Sequence, residues 1–407
     1  MLRLLTENIL DREERIMAEW IEKSLGEIAE ITKLAGFEFT KYIEYNNDGE
    51  VIALRALNLR NGELDLTDIK RISRKVSDGL TRSKIYKDDI LLTYTGNGYG
   101  DCAIIEENDK YHLAPNICKI VPNKNVISPY YLYCYIRSKA FYNQMSNNMT
   151  GSGQPTIPMK TIRLLKIPVP ELRVQVNIAN MLWLLNQKIR NNKVINNNLE
   201  QQAQAIYNNM VPYSVDDILP TEWYKGTVED IIEIHDSKRI PLSGQARQKM
   251  EKKTYPYYGA ASLMDYVDDY IFEGKYLLLG EDGTVVDAAG FPILQYVWGK
   301  FWVNNHAHIL TGKHGFTVES LMLLFRKTPV KSIVTGAVQP KISQANLKSI
   351  PVVIPSEAVL SELNNAIEPL FAQIRVNIEE NKSLAALRDA LLPKLISGEI
   401  DVSDITF

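Results

Sequence analysis

Gly96, Gly98 and Gly100 follow the strand-like run DDILLTYT (88–95) in a GxGxG spacing, which superficially fits a dinucleotide or S-adenosylmethionine loop. Such a loop has to open a helix, because the ligand is held by the amides at the helix N-terminus. Here the strand-prone DCAIIE (101–106) follows, then the turn residues ENDK. The glycines are therefore read as a flexible hairpin, TGNGYG. The chain contains no NPPY- or DPPY-like methyltransferase signature and no Walker A loop. His306 and His308 share one face if their segment is a strand, but no third ligand is evident beside them. Polar readout or packing is expected there, and no metal. No catalytic role is expected of this chain.

Side chains suited to reading nucleic acid are better represented. Amide, guanidinium and imidazole groups can face base edges, while lysine, arginine and backbone amides suit phosphates. In the first half Asn58, Arg60, Arg82, Lys84, Tyr94, Thr95, Asn97 and Tyr99 stand beside turns. In the second half come His235, Lys238 and Arg239 in HDSKRIP, and Tyr257, Tyr258 and Gly259 in YPYYGAAS. Glu281, Asp282 and Gly283 follow in LLLGEDGT, then Asn304, Asn305 and His306 in WVNNHAHIL. The alternative for each is a solvated surface residue, and for Tyr257 and Tyr258 a place in the core. Gln154 and Gln339, with Lys341 close by, sit on a turn that occurs twice, and either a backbone-contacting or a purely structural role fits them.

That turn is what the rest of the chain is organised around. TGSGQPTIPMKTIRLLKIPVP runs from Thr150 to Pro170, and TGAVQPKISQANLKSIPVVIP runs from Thr335 to Pro355, matching at one offset of 185 positions (339 − 154). A self-match at a fixed offset over this length indicates duplication. Upstream, WIEKSLGEIAEI from Trp20 is repeated as WYKGTVEDIIEI from Trp223, an offset of 203 (223 − 20), so the first interior is longer by 18 (203 − 185). The frame is expected to repeat while the filling does not. Short apolar runs at 51–57, 88–95, 101–106 and 116–121, separated by Gly, Asn and Asp, predict a mixed α/β domain, followed by a helix over 129–147.

Behind each turn lies a long helical pattern. Steps of three and four connect Leu182, Leu185, Ile189, Asn192, Asn196, Leu199, Ala203, Ile206 and Met210 in the first copy, and Ile367, Leu370, Ile374, Asn377, Asn381, Leu384, Arg388, Leu391 and Leu395 in the second. Both seams are apolar at the ends and polar in the middle. Helices of about 40 residues would be on the order of 60 Å long, with stripes too long to leave in water. They are expected to pair antiparallel, with Asn192 and Asn196 near Asn377 and Asn381, the alternative being two unrelated surface helices on separate domains. Buried asparagines weaken such a seam but fix its register, since a slipped pairing leaves amides unsatisfied.

With 407 residues, 45% hydrophobic and 23% charged, the chain suits a soluble protein of two or more domains. A net charge of −3 does not advertise nucleic-acid binding, although local basic patches stay open. Cys102, Cys118 and Cys134 form no CxxC pair and are expected as buried thiols. No apolar run reaches the roughly 18 residues of a membrane span, and the N-terminus lacks a signal-peptide pattern, so a cytoplasmic location is expected.

A globular part, TGxxQP with its Pro-rich strand, a long helix, Leu219-Pro220-Trp223, a second globular part, the same turn and a second long helix follow one another in that order. That order, with LAALRDALLPKLISGEI from Leu384 to Ile400, resembles the specificity subunit of type I restriction-modification systems. YPYYGAAS, GEDGT and NNHAHIL are similar to segments frequent in that family's target-recognition domains. The resemblance implies two mixed α/β target-recognition domains separated by a pair of long antiparallel helices. The expected division is an N-terminal extension at 1–16, a first domain at 17–172, a spacer helix at 173–212, a second domain at 213–355, and a helix and tail at 356–407. It implies double-stranded DNA as ligand, each domain reading half of a split site. Two methyltransferase subunits would dock on the helices, with restriction subunits completing the complex. S-adenosylmethionine, ATP and Mg²⁺ would belong to those partners and no cofactor to this chain. The rival reading is a two-headed scaffold that binds proteins and no DNA.

Overall fold

The computed structural model describes residues 20–96, 98–151, 155–336 and 338–405, so the N-terminal extension, Asn97 and Gln154 lie outside the described residues. The chain divides into two compact units, one running up to Arg190 and resuming at Asn381, the other spanning Asn191–Glu380. The two long helices, Leu172–Met210 and Glu357–Ser397, have 39 and 41 residues. Each helix contributes to both units.

The repeated frame is a pair of short strands. In the first unit Ile21–Ser24 runs antiparallel to Lys166–Val169, with Ile21 opposite Val169. In the second Tyr224–Thr227 runs antiparallel to Pro351–Ile354, with Tyr224 opposite Ile354. These pairs reproduce the two offsets of the sequence, 203 (224 − 21) and 185 (354 − 169). A single helical turn follows in both, started by the same device: Ser24 N–H donates to Glu27 Oε2 at 2.6 Å, and Thr227 N–H to Asp230 Oδ2 at 2.7 Å. Such a capping box satisfies amides that the first turn of a helix leaves without partners.

Between those anchors, topology repeats although sequence does not. The first unit orders its central sheet as Ala29–Lys33, Ile117–Pro122, Ile90–Thr93 and Cys102–Ile104; the second begins Ile232–Ile234, Ala307–Gly312, Phe272–Gly280 and Leu294–Val303. All neighbours in these runs are antiparallel. An outer parallel pairing also recurs: Val51–Leu54 with Tyr111–Leu113, and Tyr255–Tyr258 with the end of Leu294–Val303. Each gains an antiparallel neighbour, Lys70–Ile72 in one and Leu263–Val267 in the other. In the second unit one 10-residue strand serves both parts of a six-stranded sheet. In the first the chain leaves the sheet after Ile104 and returns at Tyr111, so two four-stranded sheets form. The interiors differ in length and residues as expected yet share a strand order: what a strand requires is a pattern of buried apolar positions, and different residues supply it.

The expected single helix over 129–147 is also corrected, since it is two, Pro129–Ile136 and Lys139–Asn147. Ser138 starts the second by accepting from Phe141 N–H at 3.2 Å, and a serine able to do this competes with continuation of the first. Both helices cover the central sheet with Tyr131, Leu132, Phe141 and Met145. In the second unit Val318–Arg326 does the same with Leu321, Leu324 and Phe325. All three cysteines are free and buried.

Within each unit the long helices run antiparallel. In the first, Asn186 accepts from Arg388 at 3.1 Å and Asn381 Nδ2 donates to Ile189 O at 3.4 Å, while Leu185, Ile189 and Leu384 pack together. In the second, Asn192 Nδ2 donates to Glu380 at 2.7 Å and Asn377 Nδ2 to Asn196 Oδ1 at 2.7 Å, while Ala203, Ile367, Phe371 and Ile374 join the core. Partner numbers fall on one helix as they rise on the other, and Asn196 meets Asn377 across the seam, while Asn192 and Asn381 find Glu380 and the Ile189 carbonyl.

Candidate nucleic-acid interface

The described residues of the duplicated turn are held by the same backbone contacts in both units. Thr150 and Thr156 exchange backbone hydrogen bonds at 3.0 and 2.9 Å, and Thr335 and Lys341 do so at 2.9 and 2.8 Å. Gly151 and Gly336 hold the left-handed conformation, φ +90° and +86°. A Cβ on Gly336 would lie 2.3 Å from Gln339 O, so glycine is required there for space as well as for φ. Ile157 and Ile342 are fully buried and pin the turn to its core, each by about 1.5–3 kcal/mol of apolar transfer.

Each turn is paired with a loop. Gly96 N–H donates to Pro155 O at 2.8 Å and Ile157 N–H to Tyr94 O at 3.0 Å; in the second unit Gly283 N–H donates to Pro340 O at 2.9 Å and Ile342 N–H to Glu281 O at 2.8 Å. TGNGYG and GEDGT are thus equivalent loops, with Gly96 and Gly283 both left-handed at φ +83° and +86°. After Gly100 the chain returns as a strand, Leu92 pairing with Cys102.

In the second unit the edge draws five distant segments together. Glu281 N–H donates to His306 O, Asn304 N–H to Tyr258 O, and Asp282 bridges to Lys341. Arg239 NH1 reaches Glu281 Oε2 at 2.5 Å and Ala307 O at 2.9 Å. Beneath them His308 is fully buried, with Nδ1 2.6 Å from Asp236 Oδ2 and Nε2 2.8 Å from Ile342 O. Both ring nitrogens face acceptors, so the ring satisfies both only when both carry protons. Burial pushes the Asp236 carboxyl up, but the His308 hydrogen bond and charge, the Ile309 amide and Arg239 outweigh it and hold it below the ordinary aspartate value. Glu281 behaves alike: burial raises it, and Arg239, His308 and Lys341 bring it below the usual range.

Asp236, Glu281 and His308 offer three ligand atoms within 4.8 Å of one another, a juxtaposition invisible in the sequence, where His306 and His308 stand without a third partner. Those atoms are already engaged. Asp236 Oδ2 also accepts from Gln344 at 2.6 Å, and Glu281 pairs with Arg239 and Lys341. The cluster is an ion-paired brace tying the repeated turn to the sheet. His306 does not join it; its Nδ1 lies 2.5 Å from Asp282 Oδ1 and its side chain is 44% exposed.

The first unit builds the same edge with other chemistry. Thr95 Oγ1 and Thr156 Oγ1 share a hydrogen bond of 2.5 Å where the second unit has Asp282 and Lys341. Lys33 stands at the position of Asp236 (236 − 33 = 203) and Cys118 at that of His308 (308 − 118 = 190). Lys33 Nζ lies 5.4 Å from the centroid of the Tyr94 ring. Tyr99 stacks on Tyr142 at 5.3 Å, and the two hydroxyls are 2.8 Å apart. Arg60 is exposed, and its charge acts on Asp101 at the foot of the hairpin. Arg82 borders the edge, donating to Lys33 O at 3.3 Å.

Several expected readers are placed elsewhere. Asn58 is fully buried, its carboxamide donating to Asp65 O and Asp68 O and accepting from Arg55 N–H, so it locks a turn. Lys84 turns to Asp78 at 2.7 Å. Tyr257 is 1% exposed, under the Arg247 guanidinium, and Tyr258 packs on Phe301. Gly259 is confined by Met264, whose Sδ would lie 2.5 Å from an added Cβ. Asn304 is buried and accepts from His306 N–H at 2.8 Å. His235 meets Thr311 Oγ1 at 2.8 Å, and burial holds its ring below the ordinary histidine value. Lys238, Asn305, Gln339 and Lys341 are exposed. Lys33, Asn116 and Asp236 were not singled out from sequence; only alignment of the two interiors strand by strand brings them into register with the rest.

Comparison with known proteins agrees with this internal duplication. A family profile described as "Type I restriction modification DNA specificity domain" matches residues 17–201 and again 220–380. The type I restriction enzyme MjaIX specificity subunit of Methanocaldococcus jannaschii is 24% identical over 430 aligned positions, covering 96% of each chain. The HindI specificity subunit of Haemophilus influenzae is 26% identical over 196 positions, 47% of this chain and 40% of that one. Among solved structures, the type I restriction-modification S subunit from M. genitalium superposes with a TM-score of 0.57 at 16% identity, covering 95% of this chain and 97% of that one, and so shares the fold.

Proposed function

Because the chain belongs to the type I restriction-modification DNA specificity family, we propose that its two units each read one half of a bipartite site in double-stranded DNA. The observation that carries this is the repeated edge, one scaffold of turn and loop lined by Tyr94, Thr95 and Lys33 in one unit and by Asp282, His306 and Lys341 in the other. Equal scaffolds bearing unequal polar groups suit two half-sites of different sequence. Phosphate contacts position such a protein, while base-edge contacts specify the sequence.

The long helices bind two methyltransferase subunits, and restriction subunits complete the assembly. S-adenosylmethionine, ATP and Mg²⁺ are held by those partners, and this chain contributes recognition but no bond-making step. No helix among the described residues is long and apolar enough to cross a membrane, and a cytoplasmic place beside the chromosome fits the role. A protein-binding scaffold would need no polar edge repeated in register, and the duplication disfavours it.

The test is a map of methylated adenines in cells carrying this chain with its methyltransferase partner. A split motif is expected, and exchange of residues 20–150 for those of a relative should alter one half only. A contiguous motif, or no methylation dependent on this chain, would sink the reading.

A further inference from the structure

We propose that Asn116 and His306 are equivalent specificity-determining residues, one for each half-site; this rests on the functional reading above and goes beyond it. The assignment comes from backbone geometry. Asn116 O accepts from Tyr94 N–H at 3.2 Å, and His306 O accepts from Glu281 N–H at 2.8 Å. Two residues upstream, Ala114 N–H donates to Leu54 O and Asn304 N–H to Tyr258 O, at 3.0 Å in both units. Asn116 and His306 therefore occupy one position of the repeat, at the start of equivalent strands and beside equivalent loops (306 − 116 = 190).

At that position both units present a polar side chain with hydrogen-bonding capacity left over. Asn116 is exposed and held at φ +73°, a left-handed conformation that asparagine tolerates better than most residues. Among the described residues its carboxamide has no partner. His306 is fixed through Nδ1 by Asp282 Oδ1, and its Nε2 has no partner among the described residues. Neighbouring side chains on both edges are spent on the scaffold: Thr95 on Thr156, Arg239 on Glu281, and Asn304 on the His306 amide.

The two groups differ in what they recognise. A carboxamide offers a donor and an acceptor together and matches N7 and N6 of adenine. With Asp282 accepting from Nδ1–H, Nε2 of the neutral ring is an acceptor, which suits the exocyclic amino group of adenine or cytosine. Asp282 is then a positioning residue that acts through His306.

Methylated-base maps of cells carrying the methyltransferase partner with the wild-type chain, Asn116→Ala or His306→Ala test this. Each variant should lose base preference at one motif position by about tenfold or more, Asn116→Ala in one half and His306→Ala in the other. Thermal melting of the purified complexes checks folding. If either alanine variant does not fold, Asn116→Ser or His306→Gln is judged by the same criterion. An unchanged motif, relaxation of the same half by both variants, or uniform loss of methylation with unchanged melting would overturn the proposal. Absence of a split motif with the wild-type chain would overturn the functional reading and this proposal with it.

Discussion

Asn377 donates its side-chain amide to Oδ1 of Asn196 at 2.7 Å, with both residues buried between the long helices of the second unit. A buried amide left without its partner costs about 1–3 kcal/mol, whereas replacing both partners by apolar groups can be neutral. Asn377→Leu should therefore lower the urea midpoint, and Asn196→Leu with Asn377→Leu should recover most of the loss. If the double variant is as unstable as the sum of the single ones, the pair does not act as a unit.

Asp236 gives the second unit a defined acid sensitivity. Its folded carboxyl lies below the ordinary aspartate value because His308, the Ile309 amide and Arg239 outweigh burial. A depressed acid stabilises the fold above its unfolded pKa and loses that contribution as pH falls through the folded value. Melting temperature should drop below about pH 4, and Asp236→Asn should flatten that part of the curve. Asp236→Ala removes the partner of buried His308 Nδ1, and a buried polar group left without its partner costs about 1–3 kcal/mol. An identical acid slope in wild type and Asp236→Asn would refute this.

Gly336 adopts φ +86° with Gln339 O in the path of any Cβ. Gly336→Ala should cost at least about 1–2 kcal/mol from the left-handed conformation alone and weaken methylation at every target, since the turn supports the whole edge. Gly244, which begins a short helix with open space around it, is the control. Gly244→Ala should stay within about 0.5 kcal/mol of wild type. Thermal melts of the two variants decide it.

The seams and the duplicated frame were legible in the sequence because they rest on periodicity and fixed offsets, and the spacing of Asn196 and Asn377 alone pointed to their meeting. The shared topology of the interiors was not legible. ILLT (90–93) and LLLG (277–280) fill the same strand with little shared sequence, since burial constrains polarity more than identity. Asn58 shows the converse failure. A polar residue beside a turn looks the same in sequence whether it faces solvent or locks the turn from inside, and only its carbonyl partners distinguish the two. Asn116 is a single asparagine after a proline and carries no pattern in the sequence; its meaning comes from sharing a position with His306.

Cys102, Cys118 and Cys134 are buried, and burial pushes each thiol up to about 12. The thiolate is the reactive species, so a disulfide reagent at neutral pH should label none of the three in the native chain and all of them in denaturant. Rapid labelling of the native protein would show that the first core opens, since Cys102, Cys118 and Cys134 all belong to it.

Salt separates the residues that hold the duplex from those that read it. With a net charge of −3 the whole chain does not attract DNA, so association depends on local cations. Arg239 is neutralised by Glu281 and Lys341 is partly so, whereas Lys238 is exposed with no ion pair among the described residues. Each phosphate contact adds about 0.9 to the slope of log affinity against log salt. Lys238→Ala should therefore weaken binding of the complex equally for matched and mismatched duplexes and reduce the slope by about one. His306→Ala should instead weaken the matched duplex alone and leave the slope unchanged. Binding isotherms at several salt concentrations distinguish these outcomes, and a Lys238→Ala variant that altered sequence preference at constant slope would place Lys238 among the base readers.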